Sequence, residues 1–248
     1  MGFFMPLKNQ QQKWRSEYKY ISPEYLLTAL QNRCSALMRL DSNAAAKGFY
    51  NIRSIYFDDM YDTCFFENEN GSDPREKFRI RIYNNDSSRI SLELKKKEKT
   101  RCLKLSSLIS LEQCEVLSAG KIPRIKADDS FLLKKLAAQM RLRLLKPVVM
   151  TVYERVPFVW KQGNVRVTFD RNIRSSCDFA DFFSGNLACR PVLSSGENMI
   201  EVKFDEFLPD FINEILQSGM LRQSAFSKYY LCRKFSRVFA QNSRFLAR

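Results

Sequence analysis

The stretch Lys77-Phe78-Arg79-Ile80-Arg81-Ile82-Tyr83 (KFRIRIY, 77–83) alternates residue by residue. Successive side chains of an extended chain point to opposite faces, so Phe78, Ile80 and Ile82 share one side and Lys77, Arg79, Arg81 and Tyr83 the other. An apolar strand face is ordinary. A face that repeats cations every second residue is not, because like charges held side by side repel. Either that face meets water, or something strongly negative lies against it.

Other segments keep the same habit. RISLELKKK (89–97) follows after the turn NNDSS, and the two runs read as a hairpin. In it Glu93, Lys95 and Lys97 share a face, while Leu92, Leu94 and Lys96 point the other way. Arg15, Glu17 and Lys19 share a face in RSEYKY (15–20), and Tyr153 and Arg155 do in TVYERVPF (151–158). So do Arg166, Thr168 and Asp170 in NVRVTFD (164–170), and Glu201 and Lys203 in MIEVKF (199–204). For one strand alone, a wet sheet face is the simpler account. Across six strands it weakens, since solvated faces mix Thr, Ser, Gln and Lys rather than repeating Arg and Glu. A sheet closed into a barrel would gather these side chains inside, where charges must be paired or bound to a counter-ion. Cations exceed carboxylates on these faces, which calls for a bound polyanion.

The rest of the chain supports one α+β domain over residues 1–248, with 1–13 a flexible N-terminal segment. Strands are expected at 15–20, 50–58, 77–83, 89–97, 102–106, 147–160, 164–173 and 199–204. Helices are expected from Ser22 as N-cap with Pro23 in the first turn, around LEQCEVL and DSFLLKKLAAQM, and at LPDFINEILQSG and SAFSKYYLCRKFSRVF. ENENGSDP reads as a polar loop and 175–197 as a long excursion, with DFADFF (178–183) its apolar anchor.

Composition narrows the function. The chain has 248 residues and a net charge of +14, which favours an anionic partner. It contains no His, removing the usual general base and any Ser–His or Cys–His pair. Seven Cys without a CxxC pair, and no secretory signal, point to free thiols in a reducing cytoplasm and away from a zinc site. No apolar run reaches the length of a membrane helix. Without an RNP1-type sequence, and with its aromatics mostly on apolar faces, the chain is not expected to bind nucleic acid specifically. The basic amphipathic run KYYLCRKFSRVF is best explained as a helix packed on the barrel.

The ordered set RSEYKY, SIYFD (54–58), KFRIRIY, LELKKK, YERVPF, VRVTFD, IEVKF and FSKYY (226–230) resembles the triphosphate tunnel metalloenzyme superfamily, in particular its VTC-type polyphosphate polymerase branch. The resemblance implies an antiparallel eight-stranded β-barrel forming a tunnel, with helices packed outside. It implies that Lys19, Arg79, Arg81, Lys95, Arg155, Arg166 and Lys228 grip phosphoryl oxygens, joined by Tyr153, Ser227, Lys104, Lys203 and Arg15. Glu201 would hold Mn²⁺ or Mg²⁺, with Glu17 and Glu93 as helpers. The implied reaction moves the γ-phosphoryl of ATP onto a growing polyphosphate chain. Hydrolytic members begin with an ExExK strand, whereas Arg15 occupies the first Glu position here, which suits a polymerase better than a triphosphatase. Eukaryotic relatives carry membrane helices that export the product; this chain shows none, so a separate export partner is one expectation. Hydrolysis of a triphosphate remains the second reading. A binding module without catalysis is the third, disfavoured because an anion binder gains nothing from Glu201 among its cations.

Overall fold

The alternation in 77–83 does face an enclosed interior. The computed structural model describes residues 14–217, 221–225 and 227–246; the expected flexible segment 1–13 and Phe226 of FSKYY lie outside them. In chain order the elements are β1 (Arg15–Pro23), α1 (Glu24–Leu37), β2 (Arg39–Leu40), β3 (Tyr50–Asp58), α2 (Thr63–Glu69), β4 (Arg75–Tyr83), β5 (Ile90–Glu98) and β6 (Arg101–Ile109). Then follow α3 (Leu111–Ser118), α4 (Phe131–Leu142), β7 (Lys146–Trp160), β8 (Val165–Ser176), β9 (Arg190–Pro191), β10 (Glu197–Phe204), α5 (Asp210–Leu216), β11 (Arg222–Gln223) and α6 (Lys228–Leu246). Eight strands run β7-β3-β4-β5-β6-β1-β10-β8, and pairing of β8 with β7 closes the ring. Every printed pairing is antiparallel.

The β4–β5 hairpin sets the register. Asn84 and Asn85 both adopt positive φ, and Asp86 N–H donates to the Tyr83 carbonyl at 2.9 Å. This is the primed turn whose twist matches that of the strands, and Asn tolerates it. Arg79 then lies opposite Glu93, Lys77 opposite Lys95 and Arg75 opposite Lys97. The β7–β8 turn depends on Gly163 at φ 70°: a Cβ there would meet the Phe207 carbonyl oxygen at 2.5 Å. In β8 an extra residue, Asn172 at φ 52°, bulges the strand against β7. The bulge inverts the alternation, so Asp170 keeps the inner face while Arg174 turns away from it.

The outer face of the barrel is apolar and covered. Ile80, Ile82, Leu92 and Leu94 are buried with Leu117 of α3 and Leu133 and Leu136 of α4. Phe182 of the 178–183 segment joins this layer, and the Arg53 guanidinium pins that segment by donating to the carbonyls of Phe182 (2.8 Å) and Ser184 (2.7 Å). Val167, Ile200 and Val202 pack under Leu27 and Leu30 of α1 and Ile212 of α5. Each such side chain contributes about 1.5–3 kcal/mol by leaving water. Closing the sheet therefore puts the outer apolar faces under helices and the 178–183 segment and leaves the polar faces to meet one another.

Local departures from the sequence expectations have physical causes. Pro23, not Ser22, is the residue preceding α1; Ser22 stays in β1, and Glu24 N–H finds the Gly196 carbonyl at 2.8 Å instead of a hydroxyl cap. The expected polar loop is helical where ENENGSDP begins, since α2 takes in Glu67, Asn68 and Glu69. The first N–H groups of α2 are satisfied by the buried Asp58 carboxylate, which accepts from Cys64 (2.9 Å) and Phe65 (3.1 Å). The strand expected at 102–106 extends over 101–109.

Candidate functional site

Inside the barrel is a cavity of about 760 Å³. It is bordered by Arg15, Glu17 and Lys19 of β1, Arg79 and Arg81 of β4, Lys95 of β5 and Lys104 of β6. Tyr153 and Arg155 of β7, Arg166 of β8, Glu201 and Lys203 of β10, and Ser227 with Lys228 at the start of α6 complete the expected set. Thirteen Lys and Arg side chains line the cavity against three carboxylates, so even with further acids behind the wall its net charge is strongly positive.

Glu93 is the exception among the expected residues. It does not border the cavity: it is buried behind β4 and β6, with Arg79 donating to Oε2 at 2.5 and 2.7 Å and Lys104 to Oε1 at 3.0 Å. Burial pushes its carboxyl up, and the charges of Arg79, Arg81 and Lys104 outweigh that and hold it far below the usual range. Both Glu93 oxygens meet cations, so the carboxylate is a counter-charge that aims Arg79. Arg81 differs in having neutral partners, Ser54 Oγ at 2.9 Å and Tyr153 OH at 3.1 Å. Among the described residues no carboxylate hydrogen-bonds it, although the charge of nearby Glu93 acts on it.

On the opposite wall charges interleave. Arg155 clamps Asp170 through two bonds of 2.6 and 2.7 Å and reaches Glu201 at 3.2 Å. Lys228 shares Asp170 Oδ2 with Arg155, at 2.6 Å, and Lys203 meets Glu201 at 2.8 Å. Asp170 was legible as an inward residue, yet only its contacts show that it anchors two of the expected cations. Asp41 and Asp205, from loops, pair with Arg166 and with Arg15 (2.8 Å). Tyr56 is a further partner, accepting from Arg79 at 2.8 Å.

Glu17 and Glu201 form the feature best suited to a metal. In the β1–β10 register Glu17 faces Lys203 and Lys19 faces Glu201, so the two carboxylates are diagonal neighbours on the inner face, within hydrogen-bond reach of each other. Burial and the Glu201 charge push the Glu17 carboxyl up, while Lys19 (3.3 Å) and Lys95 (2.5 Å) hold it down at about 2. Burial likewise opposes ionisation of Glu201, which Lys203, Lys228 and Arg155 keep well below its ordinary value. Buried Glu17 Oε1 accepts no hydrogen bond, and its ionic neighbour is the Lys19 ammonium at 3.3 Å. Among the described residues no group of three or more His, Cys, Asp or Glu gathers as a ready-made cage. Two carboxylates are nonetheless enough for a hard cation whose other ligands are phosphate oxygens and water.

The chain matches the VTC domain over residues 14–236. It belongs to the VTC domain family. The VTC domain described here is also similar in fold to solved structures. A Hippeastrum protein, HpAC1, first taken for an adenylyl cyclase and showing a dominant triphosphatase activity, superposes with a TM-score of 0.52 at 13% identity, covering 90% of this chain and 95% of that one. A Bacillus halodurans protein assigned as an adenylate cyclase gives 0.49 at 13% identity, over 84% and 89% of the two chains. The Mimivirus capping enzyme triphosphatase gives 0.40 at 10%, over 86% and 90%. At such identities the likeness is one of fold. No curated protein matches the sequence.

Proposed function

We propose that this VTC domain is a metal-dependent phosphotransferase of the polyphosphate polymerase type, taking the γ-phosphoryl of ATP onto the end of a polyphosphate chain. The observation that carries this reading is a closed interior in which cations far outnumber carboxylates, with one carboxylate pair, Glu17 and Glu201, set among them. Arg79, Arg81, Arg155, Arg166 and Lys228 would hold the transferring phosphoryl group and offset its charge, while Lys19, Lys95, Lys104, Lys203, Arg15, Tyr153 and Ser227 position the flanking phosphates. Arg forks match phosphate oxygens two at a time.

The attacking group is a terminal phosphate oxygen of the acceptor chain, already anionic, so no protein base is required. A new P–O bond forms to the γ-phosphorus as its bond to the β-bridging oxygen breaks, and ADP leaves. Stabilisation comes from fixed positive charge in line with that path. A Mn²⁺ or Mg²⁺ ion held by Glu17 and Glu201 would supply charge neutralisation across neighbouring phosphates. Arg15, engaged with Asp205 and the Asn164 carbonyl (2.6 Å), brings a cation where a water-activating carboxylate would serve hydrolysis. We place the enzyme in the cytoplasm, in keeping with its free thiols. Among the described residues no helix is long and apolar enough to cross a membrane.

Incubation with ATP and Mn²⁺ tests the reading. Phosphate ladders on a gel with stoichiometric ADP are expected. Orthophosphate as the sole phosphate product would identify a triphosphatase, and tight triphosphate binding without turnover a binding module.

A further inference from the structure

On the outer face of the barrel, turned away from the cavity, two guanidinium groups gather without a counter-charge. Arg53 of β3 and Arg174 of β8 both stand opposite Val152 of β7, one on each side, so the three residues line up across adjacent strands. Neighbouring strands lie about 4.8 Å apart, which sets the two arginines about 10 Å apart at the backbone, within joint reach of their side chains. Arg53 is buried, and among the described residues only its Nη1 is engaged. It donates to the carbonyls of Phe182 and Ser184, and to that of Asp181 at 3.4 Å. Arg174 Nε is buried and meets no acceptor. Among the described residues neither group forms an ion pair, and the Asp181 carboxylate acts on Arg53 from beyond that distance.

Such a pair is unfavourable as it stands, since a cation taken out of water needs a partner and two cations side by side repel. Burial pulls Arg53 below its ordinary range and the Arg174 charge acts in the same direction, against Cys189 and Asp181. The bulge at Asn172 brings Arg174 here, because the unbroken alternation of β8 would have turned it into the barrel. Bulges of this kind re-aim a side chain where a site requires it. A third group completes the cluster. Cys189 leads into β9, whose Pro191 faces Arg174, and packs against the outer apolar layer. Burial raises the Cys189 thiol, and the charges of Arg174 and Arg53 both oppose that, so the sulfur lies within reach of the pair. Two guanidinium forks offer several N–H donors and two charges. A tetrahedral oxyanion with up to two negative charges matches both, whereas a carboxylate brings two oxygens and one charge.

We infer that Arg53 and Arg174 form an oxyanion site on the outer wall of the barrel, separate from the tunnel, that takes inorganic phosphate. The bound ion neutralises both cations and ties β8 to β3. Because Arg53 Nη1 also holds the carbonyls of Phe182 and Ser184, the same ion steadies the segment that carries Phe182 into the core. Neither arginine borders the cavity, so the inference does not depend on what the tunnel binds.

Cysteine labelling of the full chain tests it, because each site has its own thiol. Cys189 reports the outer site, Cys102 borders the cavity and reports the tunnel, and exposed Cys177 serves as reference. Alkylation by neutral iodoacetamide is followed at each residue by peptide mass spectrometry, in phosphate or in chloride of equal ionic strength. A bound anion covers the Cys189 thiol and cancels the charges that favour its thiolate. Phosphate should therefore slow Cys189 by about tenfold, the factor set by mass action at about ten times the dissociation constant, and leave Cys177 unchanged. Arg174→Gln should abolish the protection, and Arg174→Lys, which keeps the charge, should retain part of it. Buried Cys34 and Cys114 stay unlabelled in a folded variant, and the wild-type comparison decides even where a variant unfolds. Equal Cys189 rates in phosphate and chloride, or protection that persists in Arg174→Gln, would overturn the site. Protection of Cys102 alone would confine phosphate to the tunnel and overturn it as well, whereas protection of Cys189 alone supports it whatever the tunnel binds. Stronger protection by O-phosphoserine than by phosphate would overturn the assignment to the free ion.

Discussion

The β4–β5 hairpin and the β8–β10 pair lie four strands apart in the ring of eight, on opposite walls of one tunnel, and they dispose of charge in different ways. On β4–β5 the cations outnumber the acids, and the single inward-parity carboxylate, Glu93, is drawn behind Arg79 and Lys104. On β8–β10, Arg166, Asp170, Glu201 and Lys203 alternate in sign, and Glu201 keeps its place on the cavity wall. The same two-residue period thus builds one wall that seeks an anion and another that holds its own balance while presenting a carboxylate. A linear polyphosphate with a bridging cation would need both.

Four perturbations probe that contrast, in order of decreasing effect. Glu201→Gln removes the presented carboxylate and should reduce turnover by more than about a hundredfold in an ADP-release assay, with triphosphate binding largely kept. Full activity in this variant would refute the assignment of the metal to the β10 wall. Asp170→Asn attacks the balance itself, leaving Arg155 and Lys228 buried without their shared counter-charge. Breaking such a pair costs about 3–5 kcal/mol, to be read from the denaturant midpoint. Arg81→Ala, on the anion-seeking wall, deletes a guanidinium whose protein partners are neutral. Triphosphate affinity should fall about ten- to a hundredfold with little loss of stability, whereas Arg79→Ala should cost both, because it strands Glu93.

The smallest effect is a pH dependence. Lys77 is lowered to about 7, chiefly by burial and also by the charges of Arg75 and Lys95, against the opposing pull of Cys64 and Asp58. Only the protonated amine attracts phosphate, so long-chain affinity should decline severalfold as pH rises through that value. Lys77→Arg should flatten the profile. A flat profile in the wild type would place Lys77 outside the anion's reach.

Much of this was readable from period-two alternation, because a strand allows a side chain two directions only. Arg79, Arg81, Lys95, Arg155 and Glu201 were inward by parity, and Lys96 outward, where it meets Glu76 at 3.8 Å. Parity gave no means to see that Glu93 is covered, since covering depends on how far Arg79 and Lys104 reach across from neighbouring strands. Nor could it find α2, which lacks a cap of its own and borrows the Asp58 carboxylate. Asp41 sits in a loop without periodicity, so its pairing with Arg166 left no trace in local sequence, whereas Asp205 continues the parity of Glu201 and Lys203 one residue past β10.

By itself the sequence determined which side chains share a face and that their charges do not cancel, because both follow from strand geometry and composition alone. Tertiary structure decided which of those charges are spent on one another and which stay bare. That outcome turns on distances of a few ångströms between residues far apart in the chain, where the Coulomb energy between buried charges is large enough to pair Arg155 with Asp170 and Lys95 with Glu17, while Arg81 is left with neutral partners.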